Sequence, residues 1–123
     1  MFKMVFYQSN KGEQPVYDYL KELSAKAKTD KDSRIKSKKI LDYMDALTEH
    51  GVKIGMPTVK HIEGNIWELR PLKDRIFFFC FHGDTMVLLH HFTKKTQKTP
   101  VKEILQAKRN MTDFIDRTKE ERL

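Results

Sequence analysis

The chain has 123 residues, with 24 lysines and arginines against 17 acidic residues, so its net charge is +7. This length predicts one domain, residues 1–123, with a single modest core. The basic balance predicts an anionic partner, with nucleic acid as the first candidate and an acidic protein as the second.

Several classes of protein are excluded by the apolar and cysteine content. The longest apolar run, Ile76 to Phe81, is far shorter than the about 20 residues that cross a bilayer. The N-terminus lacks the apolar core of a signal peptide, so a cytoplasmic protein is predicted. The single cysteine, Cys80, cannot form an internal disulfide and is expected to be buried and reduced. The spacing of Cys and His predicts neither a metal site nor a cofactor.

The first third of the chain predicts one strand and one helix. Phe2 to Tyr7 is short and rich in aromatic residues, which favours a strand. Pro15 suits the first turn of a helix. The residues that follow form one apolar stripe at helical spacing: Val16, Tyr19, Leu20 and Leu23. The polar stretch from Ser24 to Asp32 is predicted to be a mobile connection.

A second helix is predicted to begin at a cap formed by Asp32 or Ser33 and to end at Gly51. The lysines between Arg34 and Lys39 are interpreted as a solvated face of this helix. Its buried face is expected to contain Ile35, Ile40, Leu41, Met44 and Leu47.

The C-terminal half predicts four strands and a helix. The strands are Thr58–Ile62, Ile66–Arg70, Ile76–His82 and Thr85–Thr93. The short turns between them favour consecutive antiparallel hairpins. Thr99 and Pro100 are expected to open a helix that frays from Arg117. Its inner side would carry Ile104, Ala107, Met111 and either Phe114 or Ile115.

The resulting order is β-α-α-β-β-β-β-α. Helices packed on one face of a small, mostly antiparallel sheet make this an α+β fold.

Two arginines are predicted to meet at one end of this sheet. A four-residue loop from Pro71 to Asp74 would place Arg70 opposite Arg75, with both side chains on the same face. The same register places Glu68 opposite Phe77 on that face, which makes Glu68 a candidate partner of Arg70. Like charges in this position are unfavourable unless an anion lies between them, so the pattern predicts a phosphate site. The alternative is that the arginines only form ion pairs with Asp74 and Glu68. The opposite face would be core and would carry Trp67, Leu69, Ile76 and Phe78.

The next strand brings two histidines and a lysine-rich loop towards the same end. His90 and His91 are adjacent, so only one of them can share a face with the arginines. Histidine transfers protons near neutral pH. Lys94, Lys95 and Lys98 precede a helix N-terminus, which favours phosphate binding. A solvated run of charges is an equally good interpretation of these lysines.

Two segments resemble the HigB group of the RelE/ParE toxin superfamily. WELRPLKDRIFFFCF and LLHHFTKKTQKTPVKEILQAKR match its W-E-L-R strand, its R-[IV]-F-F strand and its L-L-H-x-F-x-K-K-T-x-K-T-P segment. The resemblance extends from about Gly64 to Arg109, whereas the N-terminal part matches only in layout. His91 stands where the family often has glycine. The resemblance implies a toxin of a type II toxin–antitoxin pair that cleaves mRNA in the ribosomal A site. It also implies neutralisation by an antitoxin with a helix-turn-helix DNA-binding domain.

Under this resemblance the cationic residues acquire roles in RNA cleavage. Arg75 and Arg70 would hold the scissile phosphate, and His90 or His91 would transfer protons, with His90 favoured by the resemblance. The remaining candidates form an RNA-binding set of Lys94, Lys95, Lys98, Lys60, His61 and Glu68. Two other functions stay open: a ParE-like gyrase inhibitor on the same fold, and a non-catalytic RNA-binding or ribosome-binding module.

Overall fold

The computed structural model describes residues 1–121. It contains a five-stranded sheet and three α-helices. The predicted α+β class and the order of elements are confirmed. The strands are β1 (Lys3–Phe6), β2 (Val59–Glu63), β3 (Ile66–Leu69), β4 (Asp74–Phe81) and β5 (Thr85–Thr93). The helices are α1 (Pro15–Lys26), α2 (Lys31–His50) and α3 (Val101–Glu121), and a 3-10 turn (Gly51–Ile54) follows α2.

The strands lie in the order β1-β5-β4-β3-β2. Strands β2 to β5 pair with their chain neighbours in antiparallel fashion, as the short turns predict. Strand β1 is added beside β5 in parallel orientation, with Lys3 paired to Thr85. The β3–β4 register pairs Glu68 with Phe77 and Leu69 with Ile76, which confirms the predicted alignment of this hairpin.

Helices cover both faces of the sheet, so the expectation that all of them lie on one face is wrong for α3. One core cluster joins β4 and β5 to α1 and α2; its sheet residues include Ile76, Phe78, Met86 and Leu88. The intervening residues of the same strands, including Phe77, Phe79, Val87 and Leu89, pack with α3. The phenylalanine run of β4 is apolar on both faces, and each face therefore needs a cover.

A β-bulge in the hairpin of β4 and β5 determines the faces to which His90 and His91 point. Phe77 pairs with His90, but the next residue, Phe78, pairs with Leu88, so Leu89 is the extra residue in β5. Such a bulge places an additional side chain on one face. As a result Leu89 packs in the α3 cluster, His90 also contacts α3, and His91 faces α1.

The second helix differs from its prediction at its start and on its buried face. Asp30, not Asp32 or Ser33, is the N-cap, and its carboxylate accepts a hydrogen bond from the Ser33 amide. The buried residues Ser33, Ile40 and Leu47 are spaced seven apart, or about two helical turns. Off this line, the side chains of Ile35 and Leu41 are 49% and 52% exposed and lie outside the core.

The ends of the other helices also extend further than the polar sequence suggests. Helix α1 continues to Lys26, which shortens the predicted connection to residues 27–30. Helix α3 continues through Arg117, whose guanidinium pairs with Asp113 one turn earlier, and so does not fray there.

Cys80 is exposed, so the predicted burial of this thiol is wrong. The residue lies near the end of β4, after the six buried residues that begin the strand. Within residues 1–121, no helix combines the length and the apolar character needed to cross a bilayer.

Candidate functional site

The two arginines converge on one buried carboxylate. Glu68 is 1% exposed, and its Oε1 lies 3.3 Å from Arg70 Nε and 3.8 Å from Arg75 Nε. The predicted pairing of Glu68 with Arg70 is therefore confirmed. Strand β3 ends at Leu69, so Arg70 lies just beyond the ladder and its amide donates to Thr58 O at 2.9 Å. We refer to Glu68, Arg70 and Arg75 as the arginine cluster.

The arginine cluster carries a net positive charge and unused donors. Two guanidinium groups face one carboxylate, which leaves one positive charge uncompensated within the cluster. Among the described residues, the buried Nε atoms of Arg70 and Arg75 have no hydrogen-bond partner. Burial, and after it the charge of Arg70, lowers the pKa of Arg75 from its ordinary value. An anion that accepts these N–H groups would relieve both the desolvation and the repulsion.

The backbone of the β3–β4 turn fixes the orientation of Arg75. Its Nη1 donates to the carbonyls of Leu72 at 2.7 Å and Asp74 at 2.8 Å. The turn itself is closed by the Asp74 amide, which donates to Pro71 O at 3.0 Å. Leu72 has a φ of 55°, a left-handed conformation that is uncommon for a residue with a branched side chain. Arg75 is 7% exposed, so only a small part of it reaches the surface.

His90 shares the face of the arginine cluster. Phe77 pairs with Glu68 on one side and His90 on the other, so these two residues are two strand spacings apart, or about 10 Å. His90 Nε2 lies 3.0 Å from Glu103 Oε1 at the start of α3. This contact orients the ring and favours a proton on Nε2.

Two cavities of opposite charge lie beside the His90–Glu103 pair. Glu103 lines a cavity of about 420 Å³ together with Lys95 and Lys102. His90 lines another of about 490 Å³, where the charged residues are Glu13 and Asp18. Phosphate is therefore favoured on the lysine side of the pair and disfavoured on the other.

The structure does not bring His91 to the arginine cluster. It lies on the opposite face, where its Nε2 is 2.9 Å from Asp74 Oδ1. The same carboxylate oxygen accepts from the Tyr19 hydroxyl at 3.0 Å and the Thr93 hydroxyl at 3.2 Å. The imidazole stacks on the Tyr19 ring with centroids 3.6 Å apart. Lys36, expected on a solvated helix face, has its Nζ 3.9 Å from Asp74 Oδ2.

The lysine-rich loop lies at the same end of the sheet as the arginine cluster. Lys94 and Lys95 line an open cleft of about 750 Å³ with Lys73, which precedes β4. Lys95 and Lys98 are exposed and Lys94 is half-buried. Thr99 connects this loop to the arginine cluster, since its hydroxyl lies 3.4 Å from Glu68 Oε2.

Of the two candidates on β2, only Lys60 adjoins the arginine cluster. Lys60 pairs with Glu68 across the ladder and is exposed. His61 pairs with Trp67 and therefore points to the other face, where its Nε2 lies 2.8 Å from Gly64 O. Among residues 1–121, no group of three or more His, Cys, Asp or Glu side chains is arranged to hold a metal ion.

The model of the phage-derived protein family described as Gp49-like (DUF891) matches residues 18–112. The chain belongs to the Gp49-like family. This family lies within the RelE/HigB-like toxin superfamily, is toxin-like and is associated with phages and toxin–antitoxin systems. The matched range includes the arginine cluster, both histidines and the lysine-rich loop. No curated protein matches the chain.

The contacts of Asp74 predict a distinct dependence of stability on pH. The residue is fully buried, and although burial raises its pKa, its bonds to His91 and Tyr19 lower the pKa below the ordinary value. Because the folded-state pKa is lowered, the contribution of Asp74 to stability is fully present above about pH 4 and is lost as the pH falls through that lowered value. The difference in the free energy of unfolding between wild type and D74N should therefore be largest above about pH 4. This difference should become smaller as the pH falls below about 4.

Urea unfolding between pH 2 and pH 8 measures this gap. The control is D42N, which removes an exposed carboxylate paired with Lys38 and should differ little from wild type throughout. A gap for D74N that stays constant down to pH 2 would contradict the expectation.

Proposed function

We propose that the chain is a HigB-type toxin that cleaves mRNA on the ribosome and acts in the cytoplasm. The observation that carries this proposal is the convergence of Arg70 and Arg75 on one carboxylate, with net positive charge and unused N–H donors. Membership of a toxin-like family supports the toxin role. The resemblance of the strand and loop segments to the HigB group supports mRNA as the target.

The proposed chemistry needs no cofactor, because RNA supplies its own nucleophile. The 2′-oxygen forms a bond to the adjacent phosphorus while the bond to the 5′-oxygen breaks, giving a cyclic phosphate and a free 5′-hydroxyl. The transition state carries extra negative charge on the phosphate oxygens. Arg75 and Arg70 stabilise that charge, and one such preorganised donor contributes about 3–4 kcal/mol in related oxyanion sites. The phosphate accepts hydrogen bonds from guanidinium N–H groups that face Glu68 in the free protein, including the two Nε–H groups that have no hydrogen-bond partner among the described residues.

His90 is the proposed proton-transfer group. Its ring lies on the face of the arginine cluster and is oriented by Glu103. It takes the proton of the 2′-hydroxyl or delivers one to the leaving 5′-oxygen, which contributes about 10²–10⁴-fold. Lys94 and Lys95 have an electrostatic role, in which their positive charges attract the phosphate groups of the RNA.

A positively charged toxin also implies the chemistry of its partner. We propose an antitoxin of the helix-turn-helix type that covers the cationic end of the sheet with acidic residues or pairs with a sheet edge. Strand β2 offers such an edge, with Lys60 exposed beside the arginine cluster.

Primer extension on a reporter mRNA tests the proposed function directly. The reporter is compared with and without a functional start codon after a short pulse of toxin expression. Cleavage confined to the translated message is expected. Intact RNA that is nevertheless bound by the protein would overturn catalysis and favour the binding module. Intact RNA accompanied by a DNA-damage response would overturn it in favour of gyrase inhibition.

A further inference from the structure

Tyr19, His91 and Thr93 form a hydrogen-bonded network around the buried carboxylate of Asp74, directly behind Arg75. We propose that this network is a positioning device that sets the orientation of the Arg75 guanidinium from the opposite face of the sheet. His91 would then act through Asp74 and not on the substrate. The consequence for cleavage rests on the proposed function, but the effect on the orientation of Arg75 does not.

Arg75 is held by the backbone of the turn. Its Nη1 is bound by two backbone carbonyls, those of Leu72 and Asp74, at 2.7 and 2.8 Å. Both belong to the turn between β3 and β4. A guanidinium is planar and rigid, so fixing Nη1 fixes the directions of its other N–H groups. The position of the Asp74 carbonyl therefore helps to determine where Arg75 can bind an anion.

The side chain of Asp74 is held by other elements of the protein. Its Oδ1 accepts from Tyr19 of α1 and from His91 and Thr93 of β5, at 2.9 to 3.2 Å. A carboxylate can only accept hydrogen bonds, so His91 Nε2 is the donor. Rotation of this side chain would break three bonds to a fully buried carboxylate, and leaving such a group unpaired costs about 1–3 kcal/mol.

Asp74 links these two sets of contacts. The side chain of Asp74 is held by α1 and β5, while its carbonyl holds Arg75. The same segment is also fixed at the preceding residue, because the Lys94 amide donates to Lys73 O at 2.7 Å. Loss of the Asp74 contacts would free the turn, and misplacing a reacting group by about 1 Å lowers rates by about 10²-fold.

The two histidines then have separate tasks. The bulge at Leu89 places His90 on the substrate-facing side and His91 on the side of α1. In this arrangement His91 contributes a single N–H donor and a ring that stacks on Tyr19. Glutamine can supply a comparable donor, whereas phenylalanine supplies only the ring.

A matched pair of tyrosine variants tests the positioning role. Y19F removes the hydroxyl that donates to Asp74. Y7F removes a hydroxyl that donates to Asp113, in the second half of α3, at 2.6 Å. The first readout is the ¹⁵N–¹H signal of Arg75 Nε, assigned by its disappearance in R75K. This signal should shift in Y19F and stay in place in Y7F. The second readout is mRNA cleavage at saturating RNA, where Y19F should lower kcat by about 10-fold to 10²-fold with little change in KM.

Variants of His91 and Thr93 make the test independent of the folding of Y19F. H91F should shift the Arg75 signal in the same direction, H91Q should restore it, and T93V should give a smaller shift. An unchanged Arg75 signal in folded Y19F, H91F or T93V would overturn the inference. If the wild type does not cleave RNA, the proposed function fails, and the Arg75 signal alone then decides the positioning role.

Discussion

R75A is expected to lower mRNA cleavage by about 10²–10³-fold, the cost of removing one preorganised donor from an oxyanion site. Arg75 is the better placed of the two arginines, because two backbone carbonyls hold its Nη1 and leave its other N–H groups free to bind phosphate. R75K should recover little activity, since an ammonium group cannot reproduce the fork of donors. Initial rates of reporter cleavage and growth after induction measure both effects.

The matched control for R75A is R109A. Arg109 is exposed on α3 and, within the described part of the chain, its side chain donates to Gln106 of the same helix. The R109A variant removes the same charge from the protein without touching the arginine cluster. Circular dichroism and thermal unfolding should show that R75A is folded before its activity is compared. A folded R75A protein that cleaves mRNA and arrests growth like R109A would refute the assignment.

E68A is expected to lower the free energy of unfolding by about 3–5 kcal/mol, because it leaves the buried Arg75 and the half-buried Arg70 without their carboxylate. Glu68 is 1% exposed, and the guanidinium groups of Arg70 and Arg75 approach the same oxygen. The loss should be smaller in the double variant E68A/R70A, which removes one of the two stranded charges. Urea unfolding of the single and double variants at pH 7 measures the coupling between the two sites.

Glu22 provides the comparison for E68A. It forms an exposed i,i+4 pair with Lys26, with a distance of 3.1 Å between Glu22 Oε1 and Lys26 Nζ. The E22A variant should change stability by less than about 0.5 kcal/mol. Equal and small losses in E22A and E68A would show that Glu68 does not hold the arginines together.

The hairpin of β3 and β4 was predictable from sequence because its pattern is local. Alternation with a period of two and a four-residue loop are enough to place Glu68 opposite Phe77. Alternation also shows that His90 and His91 point to opposite faces. It could not show which of them shares the face of Arg75, because that depends on the β4–β5 register, which the bulge at Leu89 shifts.

The network around Asp74 was not predictable, because its partners are distant in the chain. Tyr19 lies 55 residues before Asp74 and His91 lies 17 residues after it. In the sequence Asp74 is a turn residue and Tyr19 one member of an apolar stripe. Only the packing of α1 against the ends of β4 and β5 brings their polar atoms together. The packing of α3 on the second face of the sheet was not predictable for a related reason. A run of phenylalanines does not show which helix covers each face of a strand.

The parallel pairing of β1 with β5 has a consequence for the timing of synthesis. It joins Lys3 to Thr85, which is synthesised much later than Lys3. Contacts so far apart form late, because closing a long loop costs entropy before the contacts repay it. The contact of Thr99 with Glu68 needs a still longer chain. A nascent chain therefore remains without its complete cationic end until the segment that carries Thr99 has left the ribosome.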